Sequence, residues 1–226
     1  HSAVMRETMK QTLALLDSGG VRHSLAFGTL LAYKRTSTQS PFLWDDDIDL
    51  MVPFSEYGAV KNLVAGCQNF GLQAVDTSFG FQLGLQGTKT LTKHFCVDIF
   101  FLRHTAPNTV HAASFSDGIP KAGAWKNDGY HEYTSSELEI FGELKESTFW
   151  DLHVKVPADD GVVVSILRGM YGPRCFTHAR LYSHNDPILT RIKNYLFGSR
   201  EVLLTRYPVY AYGQPVPRPH VGGVSG

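Results

Sequence analysis

Trp44-Asp45-Asp46-Asp47-Ile48-Asp49-Leu50-Met51-Val52 packs four carboxylates into five residues and then continues into an apolar run. Like charges so close repel, so a fold keeps them only where water, salt or a bound cation neutralises them. The apolar residues after them predict a strand over 48–52, ended by Pro53. Side chains alternate along a strand, which puts Asp47 and Asp49 on one face, about 7 Å apart, and Ile48 and Leu50 on the other. Two same-face carboxylates suit a divalent cation. A solvated acidic turn is the plain alternative. A calcium loop is a second one, with Asp45, Asp47, Asp49 and Glu56 at loop positions 1, 3, 5 and 12. It fails because Leu50 stands where that loop needs glycine and Pro53 falls inside it. The favoured reading is a catalytic metal site in an enzyme that handles phosphates.

Two segments on either side strengthen it. Upstream, Phe27-Gly28-Thr29-Leu30 joins a short strand over 23–27 to a helix. A Gly-Thr turn at a helix N-terminus offers backbone N–H groups and a hydroxyl to a phosphate. Downstream, Cys96-Val97-Asp98-Ile99-Phe100 sets one carboxylate inside the most apolar stretch of the chain, 94–102. A lone charge there is costly unless it is paired or binds metal. If this strand neighbours 48–52, Asp98 completes a three-carboxylate cluster; the alternative is a salt bridge to Lys93 or Arg103.

The whole chain of 226 residues, 43% hydrophobic, is large enough for one α/β (α+β) domain with a full core. Lys plus Arg and Asp plus Glu both total 21, which speaks against a duplex nucleic-acid binder. Cys67, Cys96 and Cys175 are far apart and show no zinc spacing. Periodicity predicts helices over 2–18 and from Ser55 to Cys67, and strands at 71–76, 79–86, 137–142 and 152–156. A further helix opens at Asp159-Asp160 and carries Val163, Ile166, Leu167 and Met170. Residues 104–136 read as a long loop with a hairpin, 187–197 as a short helix, and 207–226 as a Pro/Gly-rich disordered tail after a domain spanning 1–206.

A strand, a Gly-Thr turn into a helix, Asp-x-Asp on a strand and a single Asp on another strand resemble the nucleotidyltransferase-fold superfamily. More narrowly, the chain resembles the LicD family, which includes bacterial phosphocholine transferases and fukutin-related sugar-alcohol phosphate transferases. The matching stretches are FGTLLAYKR (27–35), WDDDIDL (44–50), VDIF (97–100) and LKESTFWDLHVKVPADDGVVVSILRGMYG (144–172). Leu43 departs from the family's usual proline, and Lys34-Arg35 from its commoner Arg-His. The stretch between Arg103 and Glu137 matches nothing in the family pattern.

The resemblance implies a mixed sheet flanked by helices, and transfer of a phospho-alcohol group from a CDP-linked donor to a glycan hydroxyl with release of CMP. It implies that Asp47, Asp49 and Asp98 hold Mg2+ or Mn2+, and that Asp98 or Asp46 accepts the acceptor's proton. Gly28, Thr29, Lys34, Arg35 and Trp44 would then contact the donor. The expected partners are the CDP-linked donor and a glycan acceptor, without nucleic acid. Membrane association would come only through sequence outside this chain. The compartment expected by analogy is the Golgi lumen in a eukaryote and the cytoplasm in a bacterium. Two other functions compete: an Asp-x-Asp glycosyltransferase using sugar nucleotides, and a non-catalytic relative that binds a glycan or partner.

Overall fold

The computed structural model describes residues 2–36, 39–42, 45, 47–77, 79–88, 96–106, 109–112, 114–116, 119–121, 140–180 and 201–203. Helix α1 (Ser2–Ser18) buries Met5, Met9, Leu13 and Leu16 along one face, as its spacing predicts. It ends where Gly20 takes a left-handed φ of 65°. There Val21 N–H returns to the Leu16 carbonyl and Gly20 N–H to that of Asp17, satisfying two orphan acceptors of the last turn.

The chain continues through β1 (Ser24–Leu25), α2 (Phe27–Arg35), β2 (Asp47–Pro53), α3 (Tyr57–Ala65), β3 (Leu72–Asp76), β4 (Gly80–Leu85), β5 (Cys96–Ala106) and β6 (Thr109–Ala112). These strands form one mixed sheet in the order β1-β2-β5-β4-β3, with β6 returning along the far half of β5. Strand β2 runs parallel to β5, and β4 runs antiparallel to it. One face of the sheet is apolar: Ile48, Leu50, Val52, Val97, Ile99, Phe101, Phe81 and Leu83 are all buried. Helix α1 packs across β4 and β5, and Tyr57 at the start of α3 sets its ring 5.1 Å from Phe101 and 6.0 Å from Phe81. The opposite face carries the acidic positions of β2 and β5, with α2 laid over it through Phe27 against Phe100.

Two short hairpins follow, β7 (Ser114–Ser116) with β8 (Ile119–Lys121) and β9 (Leu144–Phe149) with β10 (Leu152–Pro157). Then come α4 (Asp160–Tyr171) and the pair β11 (His178–Arg180) and β12 (Glu201–Leu203). Asp159 caps α4 by accepting Gly161 N–H at 2.6 Å, the role its position predicts.

Two expectations need correction. Ser55 starts no helix: Phe54–Glu56 is a single 3-10 turn with no side-chain cap, and α3 begins at Tyr57. The Phe54 and Tyr57 rings stack at 6.0 Å, and Tyr57 in turn packs on the sheet, which fixes where the helix starts. The strand expected over 137–142 is not there in its described part. Residues 140–141 are helical and the strand is β9. Ile140 and Phe141 are buried consecutively, which the two-sided alternation of a one-faced strand does not allow. The β9–β10 register comes instead from the Trp150-Asp151 turn, both residues at positive φ (57° and 61°). The expected 187–197 helix, the tail, residues 122–136 of the long loop and residues 137–139 of the expected strand lie outside the described residues. Among the described residues no helix is long and apolar enough to cross a membrane.

His23, 1% exposed, sits between α1 and β1 with its Nδ1 2.9 Å from the Val21 carbonyl. Burial holds its pKa below the ordinary value, against the pull of Asp17 and Glu146. The unfolded chain therefore binds a proton near pH 6.5 that the native state refuses. His23 thus costs stability as pH falls below about 6.5, by at most about 1.4 kcal/mol per pH unit. Urea melts at pH 7.5 and 5.5 should show His23→Gln losing less stability on acidification than the parent. Equal losses would remove His23 as the source.

Candidate metal centre and active site

The parallel β2–β5 ladder sets Asp49 directly beside Asp98 and Asp47 beside Cys96. Strand alternation brings Asp47 to the same face, as the sequence predicts. One carboxylate oxygen from each of Asp47, Asp49 and Asp98 lies within 4.8 Å of the others. Asp98 is only 7% exposed, while Asp47 and Asp49 are half-buried. Burial drives the Asp49 carboxyl well above the usual carboxylate range, and Asp47, Asp98 and Asp45 push the same way. The donor set is oxygen-only and anionic, close enough to share an ion, and mutually repulsive without one. That chemistry fits a hard divalent cation.

The turn into α2 holds Asp49 in place. Asp49 N–H donates to Thr29 Oγ1 at 2.9 Å, and the Asp49 carbonyl accepts Ala26 N–H at 3.0 Å. A Cβ on Gly28 would stand 3.7 Å from Asp49 Oδ2, so the Gly28 backbone lies close against that carboxylate. Between them Phe27 takes φ 41°, a left-handed conformation unusual for an aromatic residue. Such strain persists where the surroundings over-determine the backbone, commonly beside functional groups. Thr29 is 3% exposed, and its hydroxyl oxygen serves the Asp49 backbone. Thr29→Val should leave a buried N–H without its acceptor and cost about 1–3 kcal/mol. Thr29→Ser should restore most of it in the same thermal melts; equal stability of the valine variant would show the bond to be unimportant.

Asp98 Oδ1 accepts the Gln82 side-chain N–H at 2.9 Å and the Cys96 thiol at 3.6 Å. Burial and the neighbouring carboxylates push the Cys96 thiol far up, so it stays a neutral donor. Neither residue was singled out in the sequence. The signal for Gln82 was present all the same: it is the one polar side chain in Gly80-Phe81-Gln82-Leu83-Gly84-Leu85.

The structure thus brings together Asp47, Asp49, Asp98, Gly28 and Thr29. Lys34 and Arg35 lie six and seven residues along α2 from Gly28, about 10 Å of helix rise. Lys34 pairs with Asp160 at 3.0 Å, an aspartate it shares with Lys145. Arg35 donates to the Cys175 carbonyl and lies 5.5 Å over the Phe42 ring. Asp45 accepts Phe42 N–H at 2.9 Å, folding the loop before β2. Trp44 and Asp46 lie outside the described residues.

Two solved structures are similar to this chain. One is a crystal structure of ANT(2")-Ia in complex with adenylyl-2"-tobramycin, 14% identical, covering 86% of each chain at a TM-score of 0.39. The other is a solution structure of the antibiotic-resistance factor ANT(2'')-Ia, 13% identical over 72% of this chain and 69% of that one, at a TM-score of 0.36. No curated protein matches the chain. The family model described as LicD/FKTN/FKRP, nucleotidyltransferase domain, matches residues 20–159. That match is well over half of the chain and takes in every strand from β1 to β10; the chain belongs to the LicD family.

Proposed function

We propose that this chain is a metal-dependent transferase that moves a phospho-alcohol group, such as phosphocholine or ribitol phosphate, from a CDP-linked donor to a glycan hydroxyl, releasing CMP. The observation that supports it is the convergence of Asp47, Asp49 and Asp98 within 4.8 Å, in a family whose members are generally transferases. The three carboxylates would hold Mg2+ or Mn2+, which when bound neutralises charge on the pyrophosphate and on the departing CMP.

The chain's own groups supply the rest. The acceptor oxygen attacks the phosphorus that carries the alcohol; a new P–O bond forms as the bridge to CMP breaks, and the bridging oxygen leaves with CMP. The acceptor's proton passes to Asp98, with Asp46 as the outer alternative. The N-terminus of α2 reaches the same region at Gly28, whose backbone lies against the Asp49 carboxylate, so its dipole would favour a phosphate there, and Thr29 holds the Asp49 backbone. Lys34 and Arg35 have Asp160 and the Cys175 carbonyl as competing partners, so they reach donor phosphates by exchanging those contacts. Trp44 is assigned to stacking on the donor.

Incubation with CDP-choline, CDP-ribitol and UDP-sugars plus Mn2+, followed by nucleotide analysis, tests the reading. CMP release from a CDP-linked donor is the expected result. UDP release would move the chain to the glycosyltransferases, and no turnover with any donor would leave a binding protein.

A further inference from the structure

Asp98 stands between two strands. On one side β2 sets Asp49 opposite it, and on the other β4 sets Gln82 opposite it. At 7% exposure its carboxylate has little access to water, and Asp47 and Asp49 both repel it. Left to itself such a group rotates to lower the repulsion. Among the described residues, two donors on one oxygen oppose that rotation: the Gln82 amide at 2.9 Å and the Cys96 thiol at 3.6 Å, both on Oδ1. Both donors are neutral. A lysine or arginine at position 82 would satisfy the same oxygen but would compete with a cation for the carboxylate's charge. An amide fixes the orientation and leaves the charge intact.

We infer that Gln82 is the positioning residue of the cation site, holding Asp98 by Oδ1 so that the carboxylate meets a divalent ion in one orientation. The inference rests on the metal reading given above. In this role Gln82 acts on metal affinity first, and on transfer only through that affinity. Outer partners of metal ligands typically change affinity or activity by tenfold to a hundredfold.

The test is Mn2+ affinity, read from the EPR signal of free Mn2+ during titration, beside metal-free melting curves. Gln82→Met keeps the length of the side chain and loses the donor. It should weaken Mn2+ binding about tenfold to a hundredfold, with a metal-free melting temperature close to the parent's. Gln82→Lys retains a donor for Oδ1, so it remains informative even if the methionine variant folds poorly. It should bind Mn2+ more weakly than Gln82→Met and melt, without metal, at or above the parent's temperature. If the parent binds Mn2+ and both variants bind it equally well, Gln82 has no such role and the metal reading survives. If binding falls only in proportion to folded protein, Gln82 is structural and the inference fails. If the parent binds no Mn2+, the metal reading and this inference fall together.

Discussion

Asp49→Asn is expected to reduce Mn2+-dependent transfer about a thousandfold or more while leaving the metal-free protein as stable as the parent, or slightly more so. The two halves of this result have one cause. Asp49 is a half-buried carboxylate beside Asp47 and Asp98, and both burial and those neighbours oppose its ionisation. An amide of the same shape removes one of three repelling charges, which relieves the metal-free fold. The same change removes a charged ligand from the cation, and a thousandfold loss corresponds to about 4 kcal/mol of transition-state stabilisation, within what metal polarisation supplies. Added Mn2+ should accordingly raise the variant's melting temperature less than the parent's. A structural acidic turn gives the reverse: lost stability, no Mn2+ effect, and activity that tracks folded protein. Melting curves with and without Mn2+, beside a CMP-release assay, separate the two.

The largest effect on stability is expected at Phe100, one step along the same face from Asp98. Its ring is 1% exposed, meets Phe27 edge-on at 4.6 Å and stacks on Phe79 at 4.4 Å. Phe100→Ala should cost about 3–5 kcal/mol, a large share of the ~5–15 kcal/mol available to a domain. Phe27 is held in its left-handed conformation against that ring, and Gly28 and Thr29 follow directly. Activity per folded molecule should therefore fall as well. Phe100→Leu should recover most of the stability in urea melts. A loss under 1 kcal/mol for the alanine variant would mean that the three rings do not pin the turn into α2.

The parts of this site that were legible in sequence are those set by local geometry. Alternation on a strand puts Asp47 and Asp49 together whatever the rest of the fold does. A single charge among Cys96, Val97, Ile99 and Phe100 marks Asp98 as a group in need of a partner. Which strand lies beside β5 is a different matter, because a parallel pairing carries no local signal; the family resemblance supplied it. Thr29 illustrates the limit. Its hydroxyl suits a phosphate from sequence alone, and in the fold it accepts the N–H of a residue twenty positions away. The β9 strand was misplaced for a related reason. Its hairpin turns on Trp150-Asp151, with none of the Asn-Gly chemistry that announces such turns. That turn is held by distant partners: Trp150 N–H donates to the Gln39 carbonyl, and Arg6 grips Asp151 through two bonds of 2.8 Å.

The parallel ladder between β2 and β5 also orders events during folding. All of α3 and the β3–β4 hairpin lie in the chain between Asp49 and Asp98, so the two acids meet only after that long loop has closed. Closing it costs chain entropy before any contact rewards it. The antiparallel hairpins β3–β4 and β9–β10 need no such closure and bring no two of these carboxylates together. The Asp49–Asp98 encounter therefore comes with the β2–β5 ladder itself and not before it. A cation bound by these three carboxylates would find no complete set of ligands before then, and would slow escape from the native state without hastening arrival there.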